Sequence, residues 1–207
     1  MVSAAGPAAR RRGVERRGRR AEAMRQTILR AAARVFRRRG FADTGMRDIA
    51  EEADLSPGNL YYYFASKQEL LFFCQDHSLD RMLATCGAVA RSGGGAAERL
   101  ARVIRAQVAC MLDELDGAAA HTEVEALPRA LRARIVAKRD RYEAAVRRIV
   151  ADGVHSGAFV PCEPALVTRA LLGAVNWTAR WYRPDGGQPA AVIADAYAAY
   201  LVRGLAK

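Results

Sequence analysis

Thr44-Gly45-Met46-Arg47-Asp48-Ile49-Ala50-Glu51-Glu52-Ala53-Asp54-Leu55-Ser56-Pro57-Gly58-Asn59-Leu60-Tyr61-Tyr62-Tyr63-Phe64 carries two short helical patterns separated by a tight turn. Thr44 is an expected N-cap for a helix bearing Met46, Ile49, Ala50 and Ala53, with Asp48 at its positive end. That helix ends by Asp54. Ser56 and Pro57 then supply an N-cap and a first-turn proline, and Leu60 and Phe64 mark the inward face of the next helix. Upstream, Ile28, Ala31, Ala32, Val35 and Phe36 form one apolar stripe that stops near Gly40. Three helices in about 45 residues, the last two short and joined by a turn, predict a helix-turn-helix.

Ser66-Lys67-Gln68-Glu69 reads as a capping box opening a fourth helix through Leu70, Leu71, Cys74, Leu79, Leu83 and Val89. After Gly93-Gly94-Gly95, the positions Leu100, Val103, Ile104, Val108, Met111 and Leu112 predict a fifth. A short sixth is expected around His121 to Leu127. A seventh carries Leu131, Ile135, Tyr142, Val146 and Ile149 and is ended by Gly153, Gly157 and Pro161. Two more begin at Pro164 and Pro189, separated by Pro184-Asp185-Gly186-Gly187. The expectation is an all-α chain of about nine helices. It divides into a disordered Arg-rich arm (1–20), a helix-turn-helix domain (21–66) and a helical ligand-binding and dimerisation domain (67–207). The arm is Gly, Ala, Pro and Arg with almost no large apolar groups, too little to offset ordering entropy.

The chain has 207 residues, about half of them apolar, and a formal net charge of +11. That charge suits a polyanionic partner, either nucleic acid or an acidic membrane surface. No apolar run approaches the roughly 18 residues a membrane span needs. Arginines occupy the place of a signal peptide's apolar stretch, so a cytoplasmic protein is expected. Cys74, Cys86, Cys110 and Cys162 lie far apart, without a CxxC pair, and read as reduced thiols. His77, His121, Glu123 and Glu125 lack metal-ligand spacing, so no metal site is expected. No phosphate loop, nucleophile elbow or defined acid-base pair suggests an enzyme, and no cofactor is implied.

The segment Gly40-Phe41, Thr44, Met46 to Ala50, Leu55 to Phe64, Ser66-Lys67 and Glu69-Leu70 closely resembles the DNA-binding domain of TetR-family regulators over roughly residues 24 to 72. With Leu60 and Phe64 inward, Ser56, Pro57, Gly58, Asn59, Tyr62 and Tyr63 are left to face DNA. Asn59 can pair with an adenine edge or accept from water, and Gly58 permits close backbone approach. Tyr62 and Tyr63 combine apolar bodies with hydroxyls that reach phosphates, while Tyr61 is open between packing and phosphate contact. Thr44 and Arg47 sit where a helix N-terminus suits a phosphate. Lys67 matches a family position that touches the DNA backbone; the alternative is a solvated lysine. Arg37, Arg38 and Arg39 are open between phosphate contact and a helix-end role. The arm is open between minor-groove entry and nonspecific attraction.

The resemblance also implies pairing through the last two helices into a homodimer, with Leu166, Ala170, Ala174, Tyr197 and Leu201 as candidate interface residues. Two reading heads about 34 to 36 Å apart or somewhat more imply a near-palindromic operator on double-stranded DNA. The stretch Leu172 to Gly186, with Asn176-Trp177-Thr178-Ala179-Arg180-Trp181, is similar to TetR-family repressors of fatty-acid and sterol catabolism that respond to acyl-CoA thioesters. An acyl-CoA needs an apolar slot and cations, for which Asn176, Trp177, Arg180 and Trp181 with Arg141 or Arg148 are the candidates. The bland alternatives are a dimer-core role for the tryptophans and an Arg180–Glu143 pair. Two rivals stand beside this reading: a multidrug sensor with a cation-binding pocket, and a weakly specific DNA binder.

Overall fold

The computed structural model describes residues 7–112, 123–183 and 185–207. Among these described residues are eight α-helices: α1 Pro7–Arg39, α2 Met46–Glu52, α3 Pro57–Tyr63, α4 Lys67–Arg91, α5 Ala96–Leu112, α6 Arg129–His155, α7 Pro164–Trp181 and α8 Ala190–Arg203. The expected short sixth helix is instead one turn of 3-10 helix, Val124–Ala126. Leu127 ends it in extended backbone, the conformation favoured for the residue before Pro128. His121, Pro184 and the first six residues of the arm lie outside the described residues.

α1 begins at Pro7, where disorder was expected through residue 20. Arginine and alanine have high helix propensity. Propagating an existing helix also avoids the cost of nucleating one. Residue 21 is therefore no element boundary. At the other end, Gly40 takes φ +78° just past the last turn, a left-handed stop that a side chain would resist.

The turn between α2 and α3 reverses through Asp54 at φ 55°, a conformation that aspartate tolerates better than most residues. Ser56 then caps α3, its Oγ accepting from the Asn59 amide at 3.2 Å, with Pro57 in the first turn. Ser66 caps α4 by accepting from the Glu69 amide, and Glu69 reaches back to the Ala65 amide at 2.8 Å. α2 differs from expectation. Its N-cap is Gly45, whose amide donates to Asp48 Oδ2 at 2.7 Å, while the Thr44 hydroxyl donates to the Gly40 carbonyl at 2.6 Å.

One apolar core runs from the small domain into the large one without a break. Ile28, Phe36, Ile49 and Leu60 are sealed in the first three helices, and Leu70 and Leu71 carry the core into α4. Each such side chain contributes roughly 1.5–3 kcal/mol of burial free energy before entropy is counted. α5 is the central helix, packed against α4, α6, α7 and most extensively α8.

Gly153, expected to end α6, lies within it. A Cβ there would sit 2.1 Å from the Phe159 ring, so the glycine is a seat for that buried side chain. The helix stops at His155 and the chain turns through Gly157 at φ +73°. The Val160 amide then donates to the Leu205 carbonyl at 2.8 Å, and an isolated bridge pairs Phe159 with Ala206, pinning the chain's end to the α6–α7 connection. No helix among the described residues is long and apolar enough to cross a membrane.

Candidate functional site

Leu60 is fully buried under α3, which leaves Ser56, Pro57, Gly58 and Asn59 exposed along its first turn. Tyr62 is 83% exposed and Tyr61 53%, whereas Tyr63 is half-buried against the core with its ring edge-on to Tyr62 at 5.1 Å. Arg47 is exposed at the start of α2. Arg47, Ser56, Pro57, Gly58 and Asn59 lie at the starts of α2 and α3, where the positive end of a helix dipole favours a polyanion, and the tyrosines lie at the other end of α3.

Two expected phosphate contacts are otherwise engaged. Thr44 is buried and its hydroxyl satisfies a carbonyl left over at the end of α1, as the last turn of any helix requires. The Lys67 ammonium donates to the Phe41 and Ala42 carbonyls at 2.6 and 3.2 Å and stands over the Phe41 ring. Of the arginines at the end of α1, Arg38 pairs with Glu52 and Arg39 with Asp48. Hydrogen bonds from Arg34 and Arg38 hold the Glu52 carboxyl below its usual range. The Gly45 amide, followed by Arg39, does the same for Asp48.

A cavity of about 470 Å³ lies among α4, α5, α6 and α7. Leu79, Met82, Met111 and Leu172 supply its apolar wall. Tyr142, Gln107 and Asn176 cross it as a chain: the Tyr142 hydroxyl donates to Gln107 Oε1 at 2.8 Å, and Gln107 Nε2 donates to Asn176 Oδ1 at 2.9 Å. Burial pushes the Tyr142 phenol well above its usual range and lowers the Arg139 guanidinium. Arg169 and Arg147 both face Glu143 at 3.6 Å.

Only Asn176 of the six expected ligand residues lines this cavity. Arg141 and Arg148 face a different groove between α4 and α6, and Arg180 borders a cleft of about 220 Å³ beside the end of α1. The expected alternative partner of Arg180, Glu143, is held by Arg147 and Arg169. Trp177 and Trp181 are 65% and 44% exposed. They continue the stripe Leu166, Ala170, Ala174 at spacings of three and four, on the opposite side of α7 from buried Thr168, Leu171, Val175 and Thr178. On α8 the exposed apolar residues are Val192 and Tyr200, whereas the expected interface residues Tyr197 and Leu201 pack partly into the core. Gln107 was not anticipated, although an amide set among Ile104, Val108 and Met111 on an inward stripe was the available signal.

A reading head of α2 and α3 joined by α4 to a helical body with an interior cavity is the arrangement of a one-component regulator. Residues 93–205 match the tetracyclin repressor-like C-terminal domain, and residues 28–72 match the bacterial regulatory proteins of the tetR family. The chain belongs to the TetR family.

As a TetR-family protein it is a DNA-binding transcriptional regulator, and its relatives are regulators rather than enzymes. It is 29% identical to the HTH-type transcriptional repressor KstR2 of Mycobacterium tuberculosis over 87% of this chain and 92% of that protein. The solved structure of that ketosteroid transcriptional regulator superposes with a TM-score of 0.79 at 27% identity, covering 88% of this chain and 95% of that one. PfmR from Thermus thermophilus is 31% identical with a TM-score of 0.77, covering 87% and 99%. AibR, solved with isovaleryl coenzyme A and operator DNA, shares the fold at 23% identity and a TM-score of 0.73, covering 88% and 97%.

Proposed function

We propose that this TetR-family chain is a ligand-responsive repressor that holds a near-palindromic operator as a homodimer and releases it on binding an acyl-CoA thioester. The observation that carries the reading is the cavity. It combines an apolar wall for an acyl chain with a Tyr142–Gln107–Asn176 chain, buried at Tyr142 and Gln107 and open to solvent at Asn176, that can meet a thioester carbonyl, and with Arg139 and Arg169 for negative charge. The likeness to KstR2, a repressor, along most of both chains supports it.

The pairing surface is the exposed stripe Leu166, Ala170, Ala174, Trp177 and Trp181 on α7 with Val192 and Tyr200 on α8. Water-facing tryptophans on such a stripe suit a two-fold contact with the same stripe of a second copy. Arg47, Ser56, Pro57, Gly58, Asn59, Tyr61, Tyr62 and Tyr63 form the DNA surface. Thr44 and Lys67 support it from behind, by ordering the loop between α1 and α2.

Ligand acts by favouring a state in which the reading heads no longer match the grooves, which requires tighter binding to that state than to the DNA-competent one. α4 is the mechanical link, because Leu79 and Met82 line the cavity and Lys67 holds the reading head.

Asp140 and Glu143 also line the cavity, the feature a sensor of lipophilic cations would use. Glu143 is already neutralised by Arg147 and Arg169, which favours the anionic ligand. Operator binding at fixed salt, titrated with acyl-CoAs of graded chain length and with lipophilic cations, decides the matter. Release by a thioester class establishes the reading, release by cations alone replaces it with the multidrug sensor, and binding that ignores operator mutations identifies a weakly specific DNA binder.

A further inference from the structure

The second large concavity of the molecule is a groove of about 740 Å³ between α4 and α6, separate from the interior cavity and walled by neither α7 nor α8. Its floor is apolar, with Leu83, Ala90, Ala145 and Ile149. Its rim is not. Arg99, Arg141, Arg147 and Arg148 line it against a single carboxylate, Asp152.

That carboxylate engages Arg99 Nη2 at 3.1 Å, and Arg147 turns to Glu143. Arg141 and Arg148 have no carboxylate partner among the described residues. They lie seven residues apart on one face of α6, roughly 10 Å along the axis, a separation two guanidiniums can close on a ligand between them. In addition, Arg99 Nε is buried and makes no hydrogen bond among the described residues. An orphaned buried donor is costly, and a bound anion is one of the few groups that relieves it.

We propose that this groove is a second ligand site, for an organic di- or polyphosphate, with the phosphates on Arg99, Arg141 and Arg148 and the organic part on the apolar floor. The charge decides the class. A single carboxylate needs one guanidinium, whereas several guanidiniums around one concavity match the multiple oxygens of a phosphate chain. A membrane or peptide anion would need a flat or extended surface instead. Because Arg147 reaches from the groove to Glu143 in the interior cavity, occupancy of the groove bears on the ligand held there. The site itself does not depend on the identity of that ligand.

The test is calorimetric titration of the full-length protein with ADP at fixed ionic strength. ADP binds the wild type, and the double variant Arg141→Gln/Arg148→Gln weakens it by about tenfold or more, as loss of charge-assisted bonds requires. The charge-matched double variant Arg129→Gln/Arg203→Gln, remote from the groove, and Asn176→Leu, in the interior cavity, leave ADP affinity within about twofold. Inorganic pyrophosphate, which needs no variant, raises the wild-type melting temperature, and the rise grows with the logarithm of its concentration once that exceeds Kd. Absence of ADP binding, equal losses in the two double variants, or equal binding of unphosphorylated adenosine would overturn the proposal. None of these outcomes bears on operator release by thioesters, which is read separately.

Discussion

The Lys67 ammonium, in the first turn of α4, donates to the Phe41 carbonyl at 2.6 Å and stands 4.4 Å from the centroid of the Phe41 ring. A residue that opens the long linking helix thus fastens the loop that carries α2. Lys67→Met keeps much of the stem but leaves the Phe41 and Ala42 carbonyls without their donor. We expect a loss of about 1–2 kcal/mol in urea unfolding, with operator affinity falling in parallel. An unchanged unfolding midpoint, accompanied by a salt dependence shallower by about one phosphate contact, would instead assign Lys67 to the DNA backbone.

On α3, Asn59 and Tyr62 are exposed and hold no part of the core. Asn59→Ala is expected to reduce discrimination at one operator position by about 1–3 kcal/mol. Tyr62→Phe removes only a hydroxyl and weakens binding on every sequence alike. Neither moves the melting temperature appreciably. Anisotropy titrations on operator and scrambled duplexes, beside thermal melts, check both statements.

Gly153→Ala would place a methyl 2.1 Å from the Phe159 ring. Overpacking of this kind costs about 1–3 kcal/mol. Phe159→Leu in the same chain relieves part of it, so the two changes together should cost less than their sum. A double-mutant cycle in urea measures the coupling, and strict additivity would mean the ring and the glycine do not share that space.

The Glu52 carboxyl is held below its ordinary value of 4.5 by hydrogen bonds from Arg34 and Arg38. A depressed carboxylate stabilises the fold above its unfolded pKa, and that contribution is lost as pH falls through the lower folded value. Stability should therefore drop below about pH 4.5, as the tie between α1 and α2 is protonated. Glu52→Gln should flatten this drop while lowering stability slightly at neutral pH. Melting temperature against pH for the two proteins is the measurement.

Gln107→Leu removes the acceptor of the Tyr142 hydroxyl and the donor to Asn176 at once. With Tyr142 left buried and unpaired, we expect about 1–3 kcal/mol of destabilisation. Effector affinity should fall further than in Leu172→Ala, which only enlarges the apolar wall. Equal losses in effector affinity for the two variants would separate the polar chain from recognition.

The reading head was legible in the residues because its determinants are local. Ser56 and Ser66 accept from amides three positions on, Pro57 fixes its own φ for the first turn, and Leu60 and Phe64 face inward by helical spacing alone. Even here one cap moved: Gly45 rather than Thr44 starts α2, since Asp48 already satisfies the Gly45 amide and a leftover carbonyl of α1 claims the Thr44 hydroxyl. From Pro7 the arm continues α1, a continuation that composition, which registers only its missing core, does not reveal.

The cavity was decided by tertiary structure. A helix that is apolar around more than one stripe declares that two faces are buried, and not which of them meets the body of its own chain. The rotation of α7 against α4, α5 and α6 turns Leu172, Gly173 and Asn176 inward and leaves Trp177 and Trp181 with Leu166 on the outside. The rotation of α6 likewise sends Arg139 to the cavity and Arg141 to the groove, two residues and about 200° apart. Periodicity along one helix contains the stripes. Their assignment depends on how four helices pack at once, which no single helix encodes.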